Sequence, residues 1–483
     1  MDVLIVGAGP TGLALGIDLA RRGVDALVVE KADALFPGSR GKGLQPRTME
    51  VFDDLGVRDA IRAAGGTYPV GMIWQDGKQA GEHQMFEPAE PTEDSPYNEP
   101  WMVPQWRTQE ILAARLAELG GTVAFGRELT GLTQDEDGVT AHFADGPGLR
   151  ARYVVAADGG RSAVRRALGI AMTGETVDPN PVLVADVRLT GLDREYWHVF
   201  PPRGDGDGFL AICPLAGTED FQVVAQFPEG TAVDVSLDGV RKVVAARSHL
   251  APDAITELRW ASDFRPRQAL ADRFRAGRVF LAGDAAHVHS PAGGQGLNTS
   301  VQDAYNLGWK LGAVLVGGAA ESLLDTYEEE RRPIAAQMLG LTTSVHRGET
   351  RRGDATRQLG LGYRDSSLTE GAGTLPGPLR AGDRAPDGTL GGVRLFDAFR
   401  GPHWTLVAVG VEAPEGLPEP VRVISGPVQP SYGSGMFLVR PDGYVGWAGT
   451  SPSALTTYVG RMGFQGRGEL RDQPQRTRTR LKH

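Results

Sequence analysis

Two glycine-rich stretches of the sequence have the residue types and the spacing that hold a phosphate-containing cofactor. The first reads GAGPTG and places Gly7, Gly9 and Gly12 in the pattern G-x-G-x-x-G, with Pro10 and Thr11 before the last glycine. The first glycine permits a tight turn, the second lets the backbone approach a pyrophosphate, and the third lets helix and strand pack closely. Because a helix N-terminus offers unpaired N–H groups to phosphate, this stretch predicts a dinucleotide-binding turn.

An acidic residue accompanies this turn at the expected separation. Glu30 ends a second apolar run, 18 residues after Gly12, and Lys31 follows it. A carboxylate at this position of a dinucleotide-binding unit accepts hydrogen bonds from a ribose. We therefore expect Glu30 and Lys31 to contact the cofactor. The acid favours an unphosphorylated ribose, as in NAD or FAD, over that of NADP.

The second stretch couples an acid to a flexible loop and a second helix start. It reads LAGDAAHVHSPAGGQGLNTSVQDAYNLGWKLG from Leu281 to Gly312, with Asp284 after a short apolar strand and a helix from about Gly296. The helix start points at a negative group. A carboxylate at Asp284 is suited to binding a ribityl hydroxyl. Together these features favour the long polyol and the ring of a flavin.

Each motif requires a strand before its turn and a helix after it, and the surrounding sequence supplies both. An apolar run begins at Asp2, a helix spans about 11–22, and a continuous apolar strand begins at Ala26. This order is typical of a parallel sheet covered on both faces. Alternating strands between about 181 and 260 indicate a separate antiparallel sheet. The predicted fold class is therefore α/β, with an inserted β-sheet domain.

The predicted organisation has six parts along the chain. They are a cofactor-binding domain over 1–177 with a substrate-domain segment at about 66–104, a substrate-binding β-sheet domain over 178–270, a return to the first domain with long helices over 271–350, a linker over 351–378, a small α/β domain over 379–462, and a flexible polar tail over 463–483.

Composition limits the classes of partner. The 483 residues are 41% hydrophobic and carry a net charge of −10, which argues against a nucleic-acid partner. No apolar run is long enough for a membrane span, and the N-terminus does not read as a signal peptide. The single Cys213 excludes an internal disulfide and a cysteine-cluster metal site, so no metal is expected. These features favour a cytoplasmic protein.

Three motifs in a fixed order make the chain resemble the class A flavoprotein monooxygenases, the para-hydroxybenzoate and phenol hydroxylase type. They are GAGPTG at Gly7, AADGGRSAVRRALG at Ala156, and the stretch that begins at Leu281. The chain most resembles bacterial hydroxylases of aromatic polyketides and related antibiotics, over nearly its whole length. The resemblance implies a Rossmann-like FAD-binding domain, an inserted antiparallel substrate domain and a C-terminal thioredoxin-like α/β domain. The last has no Cys-x-x-Cys, so its expected role is packing or contact within a homodimer.

The resemblance also assigns residues. It implies that Asp158 serves both FAD and the pyridine nucleotide, that Arg40 reaches the FAD phosphate or ribose, and that Gln105 lies near the ribityl chain. It places Asp284 on the ribityl hydroxyls. The segment that it implies for the flavin ring comprises Pro291, Gly294, Gly296, Leu297 and Asn298.

The implied reaction uses FAD, NADPH or NADH as reductant, and dioxygen as co-substrate. The resemblance implies that a flavin hydroperoxide hydroxylates an electron-rich carbon of a phenolic or polycyclic aromatic molecule. The substrate pocket is expected between the inserted sheet and the flavin, with walls from Trp74, Trp101 and Trp106. No tyrosine or histidine is singled out as a general base, and packing is the preferred role for His287.

Other functions remain open on the same fold. Baeyer–Villiger insertion or oxidative inactivation of an antibiotic would use the same motifs, and a non-oxygenating flavoprotein is a further alternative. A flavin halogenase is disfavoured because the sequence W-x-W-x-I-P is absent, Trp101 and Trp106 standing five residues apart.

Overall fold

The apolar run at the N-terminus forms a middle strand of a six-stranded sheet, here called the central sheet. Strand Val3–Val6 is fully buried and pairs in parallel with Ala26–Val29 and Tyr153–Ala156. In spatial order the strands are Arg275–Ala276, Val279–Leu281, Tyr153–Ala156, Val3–Val6, Ala26–Val29 and Val123–Ala124. The computed structural model describes residues 1–202, 204 and 208–462, so the predicted tail over 463–483 lies outside the described residues.

Two helices that follow the glycine-rich stretches pack side by side on this sheet. Helix Pro10–Arg21 and helix Gly296–Leu315 approach so closely that a β-carbon on Gly308 would lie 2.2 Å from Asp18 Oδ2. The other α-helices are Pro46–Asp54, Arg58–Ala63, Gln105–Glu118, Ala163–Ala167, Leu237–Arg247, Thr326–His346, Asp354–Arg357, Leu395–Phe399 and Pro452–Arg461. Short 3-10 turns occupy Pro252–Ala254, Gly283–Ala285, Pro291–Gly293 and Glu321–Asp325.

The inserted domain is built on a seven-stranded, mostly antiparallel sheet. Its order is Ile255–Phe264, Val182–Leu189, Asp220–Gln226, Leu210–Pro214, Tyr196–Phe200, Val70–Gln75 and Lys78–His83. Helix Leu237–Arg247 covers one face, here called the outer face. Because side chains alternate along a strand, Asp186, Gln222 and Trp197 point to the other face, here called the inner face.

A five-stranded sheet forms the C-terminal α/β unit. Its order is Glu370–Ala372, Val445–Gly449, Gly435–Val439, Trp404–Val409 and Val421–Gly426. Smaller sheets comprise Leu129–Gln134 with Val139–Phe143 and Leu149–Ala151, Met172–Thr176 with Arg267–Ala271 and His287–Val288, Gly43–Leu44 with Trp101–Met102 and Gly66–Thr67, and Thr389–Leu390 with Val393–Arg394. The α/β fold class that the sequence predicts is confirmed.

The segment over 351–378, expected as a linker, is packed against its neighbours. Leu361, Tyr363 and Leu368 are buried, and the Arg331 guanidinium donates to Tyr363 Oη at 2.9 Å. The segment is rich in glycine and arginine and has little hydrophobic periodicity, so the sequence pattern does not predict these buried positions. Among the described residues, every helix is too short or too polar to cross a membrane.

Candidate active site

The first glycine-rich turn leaves an open space at its middle glycine. A β-carbon on Gly7, where φ is +110°, would lie 2.3 Å from the carbonyl oxygen of Ala157, and one on Gly12 would lie 2.0 Å from that of Gly7. A β-carbon on Gly9 would meet no atom within 4 Å. Gly7 and Gly12 therefore bring the chain together, while Gly9 keeps an approach to the backbone open.

The helix behind this turn presents donors to the open space. Pro10 has no N–H, and the first N–H bonded inside the helix belongs to Leu13, which donates to Gly9 at 3.0 Å. The N–H groups of Thr11 and Gly12 belong to the helix's first turn, which has no intrahelical acceptors. Glu30 lies beside this turn because its Oε2 accepts from Ala8 N at 2.9 Å.

The second glycine-rich stretch meets the first at Gly283. A β-carbon on Gly283, where φ is +62°, would lie 2.6 Å from Thr11 Oγ1 and 3.0 Å from Ser300 Cβ. Thr11 lies in the first turn of one helix and Ser300 near the start of the other. The two helix starts therefore converge on one point. The region around this meeting point and Gly9 is here called the cleft. Asp284 follows Gly283 directly and is exposed to solvent, and desolvation by neighbouring protein atoms raises the pKa of its carboxyl.

The segment around Asn298 forms the next part of the cleft. Pro291 and Gly294 are exposed, and Gly294 has a φ of +64°. Leu297 lies against Gly41, whose N–H donates to Gln105 Oε1 at 3.0 Å. The structure thus brings Gln105 and the start of helix Gly296–Leu315 to the same loop.

The predicted Asp158 and Arg40 also border this cleft region. Asp158 Oδ2 accepts from the N–H groups of Ala163 and Val164 at 2.7 and 3.2 Å, while its Oδ1 is buried and has no partner among the described residues. Burial raises the pKa of this carboxyl. The exposed Arg40 guanidinium lies 5.1 Å from the Phe36 ring centroid. Lys31 is exposed close to the first turn.

These features fit an FAD. The fit rests on the open space at Gly9, the two helix starts that meet at Gly283, and two buried oxygen atoms, Asp158 Oδ1 and Gln45 Oε1, that have no partner in the part of the chain that the structure describes. An elongated dinucleotide can place its pyrophosphate at the first helix start and its ring at the second.

Of the three tryptophans predicted as substrate walls, Trp74 does not lie on the inner face of the seven-stranded sheet, which corrects its predicted position. Trp74 is on the outer face of the seven-stranded sheet, where it stacks 6.0 Å from Phe200 and belongs to the core under helix Leu237–Arg247. Trp101 packs against the core of the central-sheet domain and donates to the carbonyl of Ile61. Trp106 is half-buried in the first turn of helix Gln105–Glu118. Sequence alternation shows which residues share a face with Trp74. It does not show whether that face is the inner or the outer one.

The aromatic residues of the inner face were not predicted. Trp197 lies 4.4 Å from Lys42 Nζ, and Trp260 lies 5.2 Å from Phe36, centroid to centroid. A β-carbon on Gly38 would lie 2.2 Å from the Trp260 ring, so the loop before Arg40 lies flat on that indole. The sequence shows that Trp197 and Trp260 lie in alternating strands. Only the pairing register of those strands shows that the two residues lie on the same face.

His287 is fully buried, its ring centroid lies 6.0 Å from that of Phe274, and its side chain is also hydrogen-bonded. Its Nε2 lies 2.6 Å from Asp303 Oδ2, and its Nδ1 lies 2.9 Å from His289 Nε2. Burial acts to raise the pKa of Asp303, but the charges of His287 and Arg331 outweigh it and lower that pKa. Burial lowers the pKa of His289, so this ring is neutral. The hydrogen-bonded side chains of His289, His287 and Asp303 hold the loop that leads to Pro291.

Comparisons with known proteins agree with this geometry. Residues 1–342 match the family described as FAD binding domain. A flavin-dependent monooxygenase of Mycobacteroides abscessus is 46% identical over 96% of this chain and 100% of its own length. A rifampicin monooxygenase of Streptomyces venezuelae is 41% identical over 71% of this chain and 70% of its own. The solved structure of aklavinone-11 hydroxylase with FAD and aklavinone has a TM-score of 0.80 at 29% identity, covering 95% of this chain and 98% of that one.

Proposed function

This chain belongs to the FAD-dependent monooxygenases, and we propose that it hydroxylates a planar phenolic or polycyclic, polyketide-like aromatic molecule with electrons from NADPH or NADH. The observations that carry the proposal are the meeting of two helix starts at Gly283 and the inner face of the seven-stranded sheet near them. The loop over 36–43 lies between them and touches both.

Different residues of the site bind different parts of the cofactor. The N–H groups of Thr11 and Gly12 bind the pyrophosphate, Glu30 binds the adenosine ribose, and Asp284 binds the ribityl hydroxyls. When bound, FAD supplies the redox chemistry, taking electrons from the nicotinamide and passing them to dioxygen. Asp158 Oδ1 offers an acceptor to a cofactor hydroxyl or to the pyridine nucleotide.

The start of helix Gly296–Leu315 serves the ring. Its partial positive charge stabilises negative charge on the pyrimidine end by about 0.3–1 kcal/mol at an exposed site, and more when partly buried. Phe36 packs edge-on against Trp260, and the Arg40 guanidinium lies over both rings; together they limit the access of water at the edge of the cleft. Pro291 and Leu297 line the ring site beside the helix start.

The experiment is to purify the protein, record its absorption spectrum, titrate it with FAD and then screen aromatic compounds for faster consumption of NADPH and oxygen. We expect a yellow protein and an NADPH oxidation rate that rises with a hydroxylated polycycle. Asp284→Ala should bind FAD at least ten-fold more weakly. A protein that binds no added FAD would refute the proposal.

One similarity favours a second candidate function. The relative that is 41% identical is named a rifampicin monooxygenase, so oxygenation of an antibiotic is the alternative to a biosynthetic hydroxylation. Both hydroxylation and Baeyer–Villiger insertion add one oxygen atom, so the connectivity of the product distinguishes them: hydroxylation keeps the carbon skeleton, whereas Baeyer–Villiger insertion places oxygen between two carbons. A bioassay then shows whether the product has lost antibiotic activity.

Self-association through the C-terminal unit completes the proposal. Strand Val421–Gly426 lies at the edge of the five-stranded sheet, and Val423 is exposed there. An edge strand with an exposed apolar side chain offers unpaired N–H and C=O groups to a second copy. Light scattering should give the mass of a homodimer, and Val423→Lys should shift it to a monomer.

A further inference from the structure

The segment from Ser39 to Gly43 connects the proposed flavin site to the seven-stranded sheet. On one side, Gly43 O accepts from Asn298 Nδ2 at 2.9 Å. On the other, Ser39 O accepts from Gln222 Nε2 at 2.5 Å. Lys42 lies between these contacts, and its side chain extends to the inner face of the sheet. Its charge therefore lies between the proposed flavin site and the inner face of the seven-stranded sheet.

Lys42 is a nearly buried ammonium without an anionic partner. Its Nζ donates to Gln222 Oε1 at 2.8 Å and lies 4.4 Å from the Trp197 ring centroid, and the residue is 9% exposed. The buried Lys310, by contrast, has Glu330 at 2.7 Å. Within the part of the chain that the structure describes, Lys42 has no such ion pair. A buried charge is costly unless an opposite charge compensates it.

The nearest carboxylate is held away from this ammonium by a neutral amide. Gln222 Nε2 reaches Asp186 Oδ1 at 3.5 Å, while Gln222 Oε1 holds Lys42. Asp186 Oδ2 is buried and has no partner among the described residues. Burial raises the pKa of Asp186 to about 6, because Ser39, Gln222 and Lys42 lower it only in part. The Gln222 amide therefore lies between the Asp186 carboxyl and the Lys42 ammonium, and the two charged groups form no direct ion pair among the described residues.

Flat aromatic surfaces adjoin the ammonium. Trp197 and Tyr68 stack with their ring centroids 6.0 Å apart, and Phe86 lies 4.7 Å from Tyr68. A β-carbon on Gly43 would lie 2.4 Å from Tyr68 Oη, so this phenol lies directly over the residue that Asn298 holds. Two other ionisable groups lie near this wall. Burial raises the pKa of the Cys213 thiol, and the neighbouring Lys42 lowers it only in part. The Arg352 guanidinium lies 5.3 Å from the Phe86 ring centroid.

We propose that Lys42 binds an anionic oxygen of the aromatic substrate, a phenolate or an enolate, while the substrate rings lie against Trp197 and Tyr68. This inference rests on the proposed function and names its substrate class: planar aromatics that ionise at an oxygen near neutral pH. Ionisation also raises the electron density of the ring, so the group that selects the substrate favours its reactive form. An ether at the same oxygen lacks the charge and is rejected.

The test uses the FAD-loaded protein and alizarin, a hydroxyanthraquinone whose visible spectrum changes when it ionises. Difference spectra against pH give the ionisation state of the bound dye as well as its Kd. In the natural protein we expect the bound dye to ionise at least one pH unit lower than the free dye. Lys42→Met should abolish this shift and weaken binding of the ionised dye by ten- to 100-fold, and Lys42→Arg should retain it.

Two controls separate recognition from folding. Lys78→Met removes an exposed lysine from the edge strand and should change neither spectrum nor Kd. Alizarin dimethyl ether cannot ionise: it should bind the natural protein at least ten-fold more weakly than alizarin, and Lys42→Met should bind both alike. The comparison of alizarin with its dimethyl ether uses only the natural protein, so a variant that fails to fold cannot affect it.

Some outcomes overturn this inference alone. They are a protein that binds FAD but not alizarin, a bound dye that ionises as it does in water, and a Lys42→Met variant that keeps the shift. Failure of the proposed function is recognised separately, because the protein would then bind no FAD at all.

Discussion

Asn298 donates a hydrogen bond from Nδ2 to the carbonyl oxygen of Gly43, 255 positions earlier in the chain, at 2.9 Å. The same nitrogen reaches Gly294 O at 2.8 Å, and Asn298 Oδ1 accepts from Gln45 N at 2.7 Å. One buried side chain thus holds the start of helix Gly296–Leu315, the loop before it and the segment that carries Lys42. The geometry of the proposed ring site depends on these three bonds.

We predict that Asn298→Ala unfolds more easily and binds FAD more weakly. Each buried hydrogen bond contributes about 1 kcal/mol, so the loss should be about 2–4 kcal/mol in the free energy of unfolding. FAD affinity should fall by at least ten-fold, because the helix start is no longer fixed. Urea denaturation and fluorescence titration with FAD measure the two effects.

A matched control is Asn98→Ala, which removes a half-buried amide that donates to Glu90 O near the surface. It should change the free energy of unfolding by about 0.5 kcal/mol or less. If Asn298→Ala bound FAD as tightly as the natural protein, the ring site would not depend on this side chain.

Substituting Gly9 or Gly12 of the first turn by alanine should affect different properties, FAD binding in one case and stability in the other. A β-carbon on Gly12 would meet Gly7 O at 2.0 Å, so Gly12→Ala forces the backbone apart and should lower the melting temperature of the FAD-free protein. A β-carbon on Gly9 meets nothing, so Gly9→Ala should fold normally. It should still weaken FAD binding by ten-fold or more, because its methyl group occupies the approach of the pyrophosphate.

Calorimetry of the FAD-free proteins and FAD titration together distinguish the two glycines. Gly23→Ala, at a helix end with open space and a φ of +74°, serves as a control for backbone strain without any contact to the cofactor. Equal FAD affinity in Gly9→Ala and the natural protein would show that the cofactor does not approach this turn.

Local patterns were sufficient for the parts of the site that lie next to each other in sequence. The glycine spacing at Gly7, Gly9 and Gly12 and the acid at Asp284 each belong to a strand–turn–helix unit, so their geometry follows from a few neighbouring residues. The central sheet then brings the units together, because the carboxyl ends of parallel strands share one edge.

Contacts that depend on register or on distant segments could not be predicted. The face of Trp74 follows from the pairing of its strand with Tyr196–Phe200, which sequence alternation alone leaves undecided. Lys42 occupies a loop with no periodicity, and its partner Gln222 is 180 residues away. The buried charges around Glu330 belong to three separated segments. From the sequence alone, such charged side chains are expected to be exposed to solvent. Only the folded structure shows that they are buried.

Asp186 should make stability depend on pH. Its pKa in the folded protein is about 6, above the value of about 3.9 in an unfolded chain, so the folded state binds this proton more tightly. Its contribution is therefore full below about pH 4 and is lost as the pH rises through 6. Asp186→Asn keeps a neutral side chain at every pH. We expect it to be more stable than the natural protein at pH 8 by about 1–3 kcal/mol, an advantage absent at pH 4.

Urea denaturation at pH 4, 6 and 8 measures this difference. The control is Asp145→Asn, a change at an exposed turn position, which should give nearly the same free energy difference at each pH. An Asp186→Asn variant whose stability runs parallel to that of the natural protein across the range would show that Asp186 titrates as an ordinary aspartate.

Arg440 should be essential for docking the five-stranded sheet. Its guanidinium donates to Glu330 Oε1 at 2.6 Å and to Asp442 Oδ2 at 2.6 Å, and Lys310 joins Glu330 from the helix Gly296–Leu315. All four side chains are buried. Arg440→Met leaves two carboxylates facing one ammonium, so the free energy of unfolding should fall by about 3–5 kcal/mol.

A second variant separates lost charge balance from lost packing. Arg440→Met combined with Asp442→Asn leaves Glu330 opposite Lys310, and this double variant should recover part of the stability that Arg440→Met loses. Arg422→Met, on the exposed strand Val421–Gly426, should change stability by about 0.5 kcal/mol or less. If Arg440→Met were as mild as Arg422→Met, the buried charges would contribute no net stability and apolar contacts would dock the sheet.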